Sequence, residues 1–212
     1  LFSAEGTGSG SNFDVRYYRC VWNIDPRKRY ISGSVSIRFT TTSDTASFLT
    51  FDLVSALTVD SIIFQGVKTN HGAVSTSQRW CRLPTVLTQG TTETITIYYK
   101  GVPNNSGFGA FNKQTHAGVP IIWTMSCPYA ARDWWPCKQD LLDKPDSIDL
   151  IITTPQQYRA AGNGLLLSET VSDTNKIYHW KHRYPIAPYL VAIGVTNYAQ
   201  YTNDVLLGNG TY

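Results

Sequence analysis

Alternation of apolar and polar residues with a period of two is the feature that most restricts the fold of this chain. The first segment, Phe13 to Trp22, and the second, Ile31 to Phe39, both alternate in this way. Such alternation predicts half-buried strands. In the first strand it assigns Phe13, Val15 and Tyr17 to one face and Arg16, Tyr18, Cys20 and Trp22 to the other.

Short strand candidates continue along the chain, and no stretch carries a convincing helical stripe. Gly, Pro and Asn residues separate them, which is typical of an all-β sandwich. Pro103 to Gly118 is read as a long Gly/Asn-rich loop. The other predicted strands are Phe48–Leu53, Val59–Gln65, Gln78–Leu83, Thr92–Lys100, Ile121–Ser126, Ser147–Thr154, Tyr158–Asn163, Leu165–Val171, Lys176–Arg183 and Tyr189–Asn197.

Composition excludes several classes of protein. Charged residues are only 16% of the 212, and the net charge of +3 comes without a basic run, so nucleic acid is not an expected partner. No apolar stretch is long enough for a membrane span. The Gly/Ser-rich residues 1–12 are expected to form a mobile leader, and residues 13–212 a single domain.

The sequence lacks the usual motifs of a catalytic site. It has only three glutamates, Glu5, Glu93 and Glu169, and no HExxH zinc motif. His179 and His182 are three residues apart in a predicted strand, so they point to opposite faces and cannot share a metal ion. The four cysteines allow three disulfide pairings and do not have the spacing of zinc ligands. We therefore predict no catalytic residue, metal or cofactor in this chain.

The segment from Ile121 to Asp140 is the most informative. An apolar strand stops at Pro128 and enters a loop rich in Trp, Pro and Cys. In one interpretation Trp134 and Trp135 fill the core and Arg132 pairs with Asp140 or Asp143. In the other, the two tryptophans form a platform on which a sugar stacks.

Here the chain resembles the zinc aminopeptidases related to aminopeptidase N and leukotriene hydrolase. The stretch Ala131 to Cys137, ARDWWPC, is similar to their ARxxxPCxD-type motif. Three further stretches match in the family's order: FDVRYY from Phe13, AGNGLL from Ala161, and YPIAPYLVAI from Tyr184. Together they span Phe13 to about Tyr198, and the extended WWPCKQD form is most similar to bacterial members.

The resemblance implies a fold and a role. Members begin with a saddle-shaped, mixed β-sandwich domain, and a catalytic domain with HExxH, a GxMEN-type motif and zinc follows. The chain would then be a non-catalytic N-terminal domain that ends before the catalytic domain. Its partners would be that domain and a peptide substrate, and the zinc would belong to the parent protein.

The resemblance also implies site residues. The family position that is usually acidic or Gln, and that binds the substrate's α-amino group, falls on Cys127. Met125 would line the pocket for the first side chain, and Tyr129 would form its wall. From the residues alone, two structural interpretations of Cys127 are also open: it could be a buried thiol, or it could form a disulfide with Cys137.

A different class of function is also open. The chain could be a free-standing β-sandwich that binds carbohydrate or protein through Trp134, Trp135 and Tyr129. The leader and the low Lys and Glu content favour a secreted or periplasmic location.

Overall fold

The computed structural model describes residues 10–107 and 109–203, which form three β-sheets and two short 3₁₀ helices. In chain order the strands are β1 (Phe13–Asn23), β2 (Ile31–Thr41), β3 (Thr45–Asp52), β4 (Leu57–Phe64), β5 (Val67–Thr69), β6 (His71–Ala73), β7 (Gln78–Thr88), β8 (Thr92–Gly101), β9 (Asn112–His116), β10 (Val119–Trp123), β11 (Ser147–Pro155), β12 (Arg159–Gly162), β13 (Leu165–Ser172), β14 (Asn175–His182) and β15 (Ile193–Thr196). The 3₁₀ helices are Ala131–Asp133 and Pro188–Leu190.

The sheets have eight, four and three strands. The eight-stranded sheet has the order β13-β14-β11-β1-β2-β8-β4-β5, the four-stranded sheet β12-β15-β10-β9, and the three-stranded sheet β3-β7-β6. The large sheet is mixed, because β1 pairs in parallel with β11, with Tyr17 opposite Ser147, and antiparallel with β2. The predicted all-β, mixed architecture is confirmed.

One apolar core joins the three sheets. It includes Trp22 from the large sheet, Leu49 from the three-stranded sheet and Ile122 from the four-stranded sheet, each at most 1% exposed. A backbone bridge between Asp52 and Cys137 ties β3 to the loop after β10. That loop is therefore part of the packed body of the domain.

The predicted facing of β1 was wrong in its first half. The pairing with β2 shifts register between Val15 and Tyr17, which marks a β-bulge at Arg16. A bulge adds one residue and reverses the alternation beyond it. Phe13 and Val15 are therefore buried on the same side as Tyr18, whereas Tyr17 lies on the outer face.

Other boundaries also differ from the prediction, and β7 extends five residues beyond the predicted Leu83. The loop predicted for Pro103–Gly118 contains β9, which pairs with β10 in a hairpin. The strand predicted for Ile121–Ser126 begins earlier and ends at Trp123, and the one predicted for Tyr189–Asn197 is a 3₁₀ helix followed by the short β15. The strands β5 and β6 were not predicted.

Residues 1–9 of the predicted leader lie outside the described residues. Of its remaining part, Gly10 donates its backbone N–H to Thr50 Oγ1 at 3.0 Å, and the Asn12 side-chain amide donates to the Phe48 carbonyl at 2.7 Å. Among the described residues, no helix has the length and hydrophobicity needed to cross a membrane.

Candidate functional site

The candidate site is the segment from Thr124 to Ala130, which follows β10. Met125, Cys127 and Tyr129 are exposed, Met125 and Tyr129 at 46% each, while Thr124 and Ser126 are buried between them. Pro128 is exposed as well, and residues 127–130 form a turn. The three predicted site residues are all exposed within one short segment.

Hydrogen bonds fix both ends of this segment. Thr124 donates its backbone N–H to the Ile193 carbonyl at 3.1 Å, and its hydroxyl accepts from the Ile193 N–H at 3.0 Å. The Ala130 N–H donates to the Ser126 carbonyl at 2.9 Å. The exposed side chains are consequently carried by an anchored backbone.

Ser126 connects the segment to the aromatic core. Its hydroxyl accepts a hydrogen bond from the Trp134 indole N–H at 2.9 Å. Trp134 and Trp135 are fully buried and pack against Trp22, with ring centroids 4.8 and 6.3 Å apart. The interpretation of these tryptophans as core residues is confirmed, and the sugar-stacking platform is wrong because neither ring is accessible.

The carboxylates predicted for Arg132 contact other groups. Asp143 pairs with Lys138 at 2.5 Å, and both side chains are less than 10% exposed. Asp140 instead accepts a hydrogen bond from the Leu142 N–H at 2.9 Å. The backbone of Arg132 connects the loop to Val54, because the Arg132 carbonyl accepts a hydrogen bond from the Val54 N–H at 3.0 Å.

The loop predicted for Pro103–Gly118 and the segment Ile121–Asp140 lie beside each other. Buried Asp133 accepts hydrogen bonds from the Ser106 hydroxyl and backbone N–H, and its own carbonyl accepts from the Asn104 N–H at 3.1 Å. The sequence did not point to this contact, since it joins residues that are distant in the chain. It holds the loop after β8 against the loop that carries the site.

Cys127 is an exposed free thiol, so both of its structural alternatives were wrong: it is neither buried nor bonded to Cys137. The other three cysteines are buried. Burial raises the pKa of Cys81 to about 12 and holds the pKa values of Cys20 and Cys137 well above their ordinary range. Thiolate chemistry at neutral pH is therefore disfavoured at these three positions.

The described residues do not fit a zinc site. They contain no group of three or more His, Cys, Asp or Glu side chains arranged to hold a metal ion. His179 contacts Asp149 through its Nε2 at 2.7 Å, while the His182 ring lies against Tyr184. This part of the chain therefore offers no ligand set for the zinc that the resemblance implies.

The exposed trio is chemically neutral. Met125 offers a thioether, Cys127 a thiol and Tyr129 a phenol, so the segment presents polarisable and apolar surface with weak hydrogen-bonding groups. It can contact an apolar side chain of a ligand, but it offers no full negative charge to an ammonium group.

Comparison with known proteins places this geometry in a family. The family model described as the Peptidase M1 N-terminal domain matches residues 15–190. Leukotriene A-4 hydrolase of Xenopus laevis is 25% identical over 198 residues, which cover 88% of this chain and 32% of that protein. The chain thus spans about a third of the length of this curated relative.

Solved structures share the fold. An M1 zinc metallopeptidase from Deinococcus radiodurans superposes with a TM-score of 0.78 at 23% identity, over 89% of this chain and 43% of that one. Yeast LTA4 hydrolase gives a TM-score of 0.69 at 19% identity, over 88% of this chain and 29% of that one. The matched family model and the shared fold show that this chain belongs to the M1 peptidase family, as its N-terminal domain.

Proposed function

We propose that this chain caps the substrate cleft of a linked zinc aminopeptidase domain and helps to position the N-terminus of a peptide. The observation that carries the proposal is the anchored segment after β10, which exposes Met125, Cys127 and Tyr129 together. In this role Met125 and Tyr129 contact the first side chain of the peptide, and Cys127 lies at the amine-binding position. The zinc and the catalytic groups belong to the linked domain.

An exposed apolar strip supports a linked partner. The strip consists of Met125, Tyr129, Leu190 and Leu165, with exposed fractions of 46, 46, 50 and 68%. Asn163 connects the turn before Leu165 with the backbone at Leu190, because its amide donates to the Leu190 carbonyl at 3.0 Å and its side-chain oxygen accepts from the Ala192 N–H at 2.7 Å. Large exposed apolar side chains that cluster on a surface are typical of interaction sites.

Cys127 gives the proposal a specific consequence. A carboxylate would bind an ammonium through a charge-assisted hydrogen bond worth about 1.5 to 3 kcal/mol, which a thiol does not supply. We therefore expect that Cys127 weakens amine recognition in the parent enzyme. The location of the parent is proposed to be secreted or periplasmic.

The test is Cys127→Glu in the full-length parent, with Cys127→Gln as the matched control of similar length and no charge. The acid should lower KM for substrates with a free α-amino group by about tenfold, since about 1.4 kcal/mol is a factor of ten. The amide should have a smaller effect. An unchanged KM for Cys127→Glu, in an enzyme that remains folded and active, would contradict the assignment of this position.

The alternative of a carbohydrate-binding module is weakened by the burial of Trp134 and Trp135. Of the three aromatic residues assigned to that module, Tyr129 is the exposed one. The structure of the described residues therefore gives this alternative no specific support.

A further inference from the structure

A groove on the outer face of the eight-stranded sheet lies away from the candidate site. Arg16 on β1, Arg38 on β2 and Lys181 on β14 line it, together with the hydroxyls of Thr40 and Thr92, and its volume is about 690 Å³. The cations come from three strands, and the alternation along each strand directs them to the same face. The groove plays no part in the role proposed above.

Lys181 is held in place by Tyr17, which lines the groove, and by Asp149. Its Nζ lies 2.5 Å from Asp149 Oδ2 and 4.7 Å from the centre of the Tyr17 ring. Asp149 is buried, accepts a hydrogen bond from the Tyr17 hydroxyl, and contacts His179 Nε2 at 2.7 Å. The ammonium group therefore has a fixed position over Tyr17.

The two arginines differ in their partners. Arg16 is held by Asp14 at 2.9 Å and donates from its Nε to Thr40 Oγ1 at 3.3 Å. Arg38 lies opposite Tyr17 in the pairing of β1 with β2, is exposed, and forms no ion pair within the described part of the chain. Its guanidinium is thus free to bind an anion with two parallel hydrogen bonds.

The charges around the groove leave a small positive excess. Four cations stand against three carboxylates. Arg16, Arg38, Lys181 and Asp146 line the groove, Asp14 and Asp149 pair with Arg16 and Lys181, and Arg19 lies opposite Asp149 in the pairing of β1 with β11. An excess of one charge suits a single small anion. It does not suit a nucleic acid, whose binding requires the neutralisation of many phosphates.

We propose that this groove binds a tetrahedral oxyanion, the phosphate or sulfate group of a small soluble molecule. Lys181 and Arg38 reach it from opposite sides of Tyr17. Lys181 lies in the row of Asp149 and Arg19, whereas Arg38 lies opposite Tyr17, so their Cα atoms are three strand spacings and two residues apart, about 16 Å. The Lys181 ammonium over the Tyr17 ring and an extended Arg38 side chain can bridge this distance around one ion. The hydroxyls of Thr40 and Thr92 hydrogen-bond to each other at 2.9 Å, so one of the two can donate to the anion.

The test is calorimetric titration of this chain with inorganic phosphate and with inorganic sulfate, with sodium chloride at equal ionic strength as the reference. Saturable binding of either tetrahedral ion, beyond the chloride reference, is expected. Arg38→Gln should weaken that binding by about tenfold, as expected for the loss of a charge-assisted hydrogen bond. Arg38→Lys should weaken it less, because it keeps the charge but loses the planar fork.

Arg82→Gln is the matched control, because Arg82 is an exposed arginine on β7 in the three-stranded sheet. It should leave the affinity unchanged. The proposal is overturned if neither ion binds saturably, or if Arg38→Gln and Arg82→Gln weaken binding equally, which would indicate general charge screening. Circular dichroism of each variant establishes that it is folded.

Discussion

The buried pair of Lys138 and Asp143 offers the sharpest test of how the site-bearing loop is attached. Asp143 accepts hydrogen bonds from Lys138 Nζ at 2.5 Å and from the Val15 N–H at 3.1 Å. Lys138 Nζ also donates to the Phe13 carbonyl at 2.6 Å. Asp143→Ala would leave a buried ammonium group with one neutral acceptor and the Val15 N–H without its carboxylate.

Removal of one partner of a buried ion pair costs about 3 to 5 kcal/mol. With a urea m value of about 2 kcal/mol/M, the midpoint of unfolding should fall by about 2 M. The double variant Lys138→Met/Asp143→Leu removes both charges. The cost that remains is the loss of the partners of the Val15 N–H and the Phe13 carbonyl, and an unsatisfied buried N–H costs about 1 to 3 kcal/mol. The double variant should therefore be more stable than Asp143→Ala.

Urea unfolding followed by tryptophan fluorescence measures these differences. Asp140→Ala is the control within the same loop, and since its carboxylate makes an exposed hydrogen bond, it should cost less than about 1 kcal/mol. If the double variant is at least as unstable as Asp143→Ala, then the uncompensated charge is not the source of the cost and the reasoning fails.

Three further predictions concern other parts of the molecule. Burial opposes ionisation of Asp149, but hydrogen bonds from Lys181, Tyr17 and His179 outweigh this effect and lower its pKa. The stability that the ionised Asp149 contributes is therefore complete above about pH 4 and is lost as the pH falls further. The difference in unfolding free energy between wild type and Asp149→Asn should accordingly shrink at about pH 3. A thiol reagent should modify Cys127 rapidly and the three buried cysteines only on unfolding, as quantified by mass spectrometry; equal rates would contradict the described burial. Gly33→Ala should destabilise the domain by more than about 1 kcal/mol in urea, because a Cβ there would lie 1.9 Å from the Val21 carbonyl oxygen; an unchanged midpoint would refute this.

The sequence predicted the long strands well, since a sheet with one buried face imposes alternation directly. The same rule failed at Arg16, because a bulge inserts one residue without a sequence mark of its own. It also missed β9, whose residues NKQTH are mostly exposed and carry no apolar signal. Three-residue strands such as β5 and β6 are too short to show a period.

The site was predictable in part. The tryptophans could be assigned to the core because large aromatic residues gain most from burial. The exposure of Cys127 was harder to predict, since free cysteine is usually buried. Cys127 is exposed because it lies in the segment that follows β10. The contact of Asp133 with Ser106 joins residues 27 positions apart and carries no local signal.

The parallel pairing of β1 with β11 has a consequence for biosynthesis. The strand β1 leaves the ribosome before the other strands of the large sheet and lies in the interior of that sheet, and one of its two neighbours is not complete until Pro155 has been added. At bacterial or eukaryotic translation rates this delay is roughly ten seconds, during which one edge of β1 has no partner. Nascent chains stalled before β11 should therefore be the form that holding chaperones capture and that aggregates most readily.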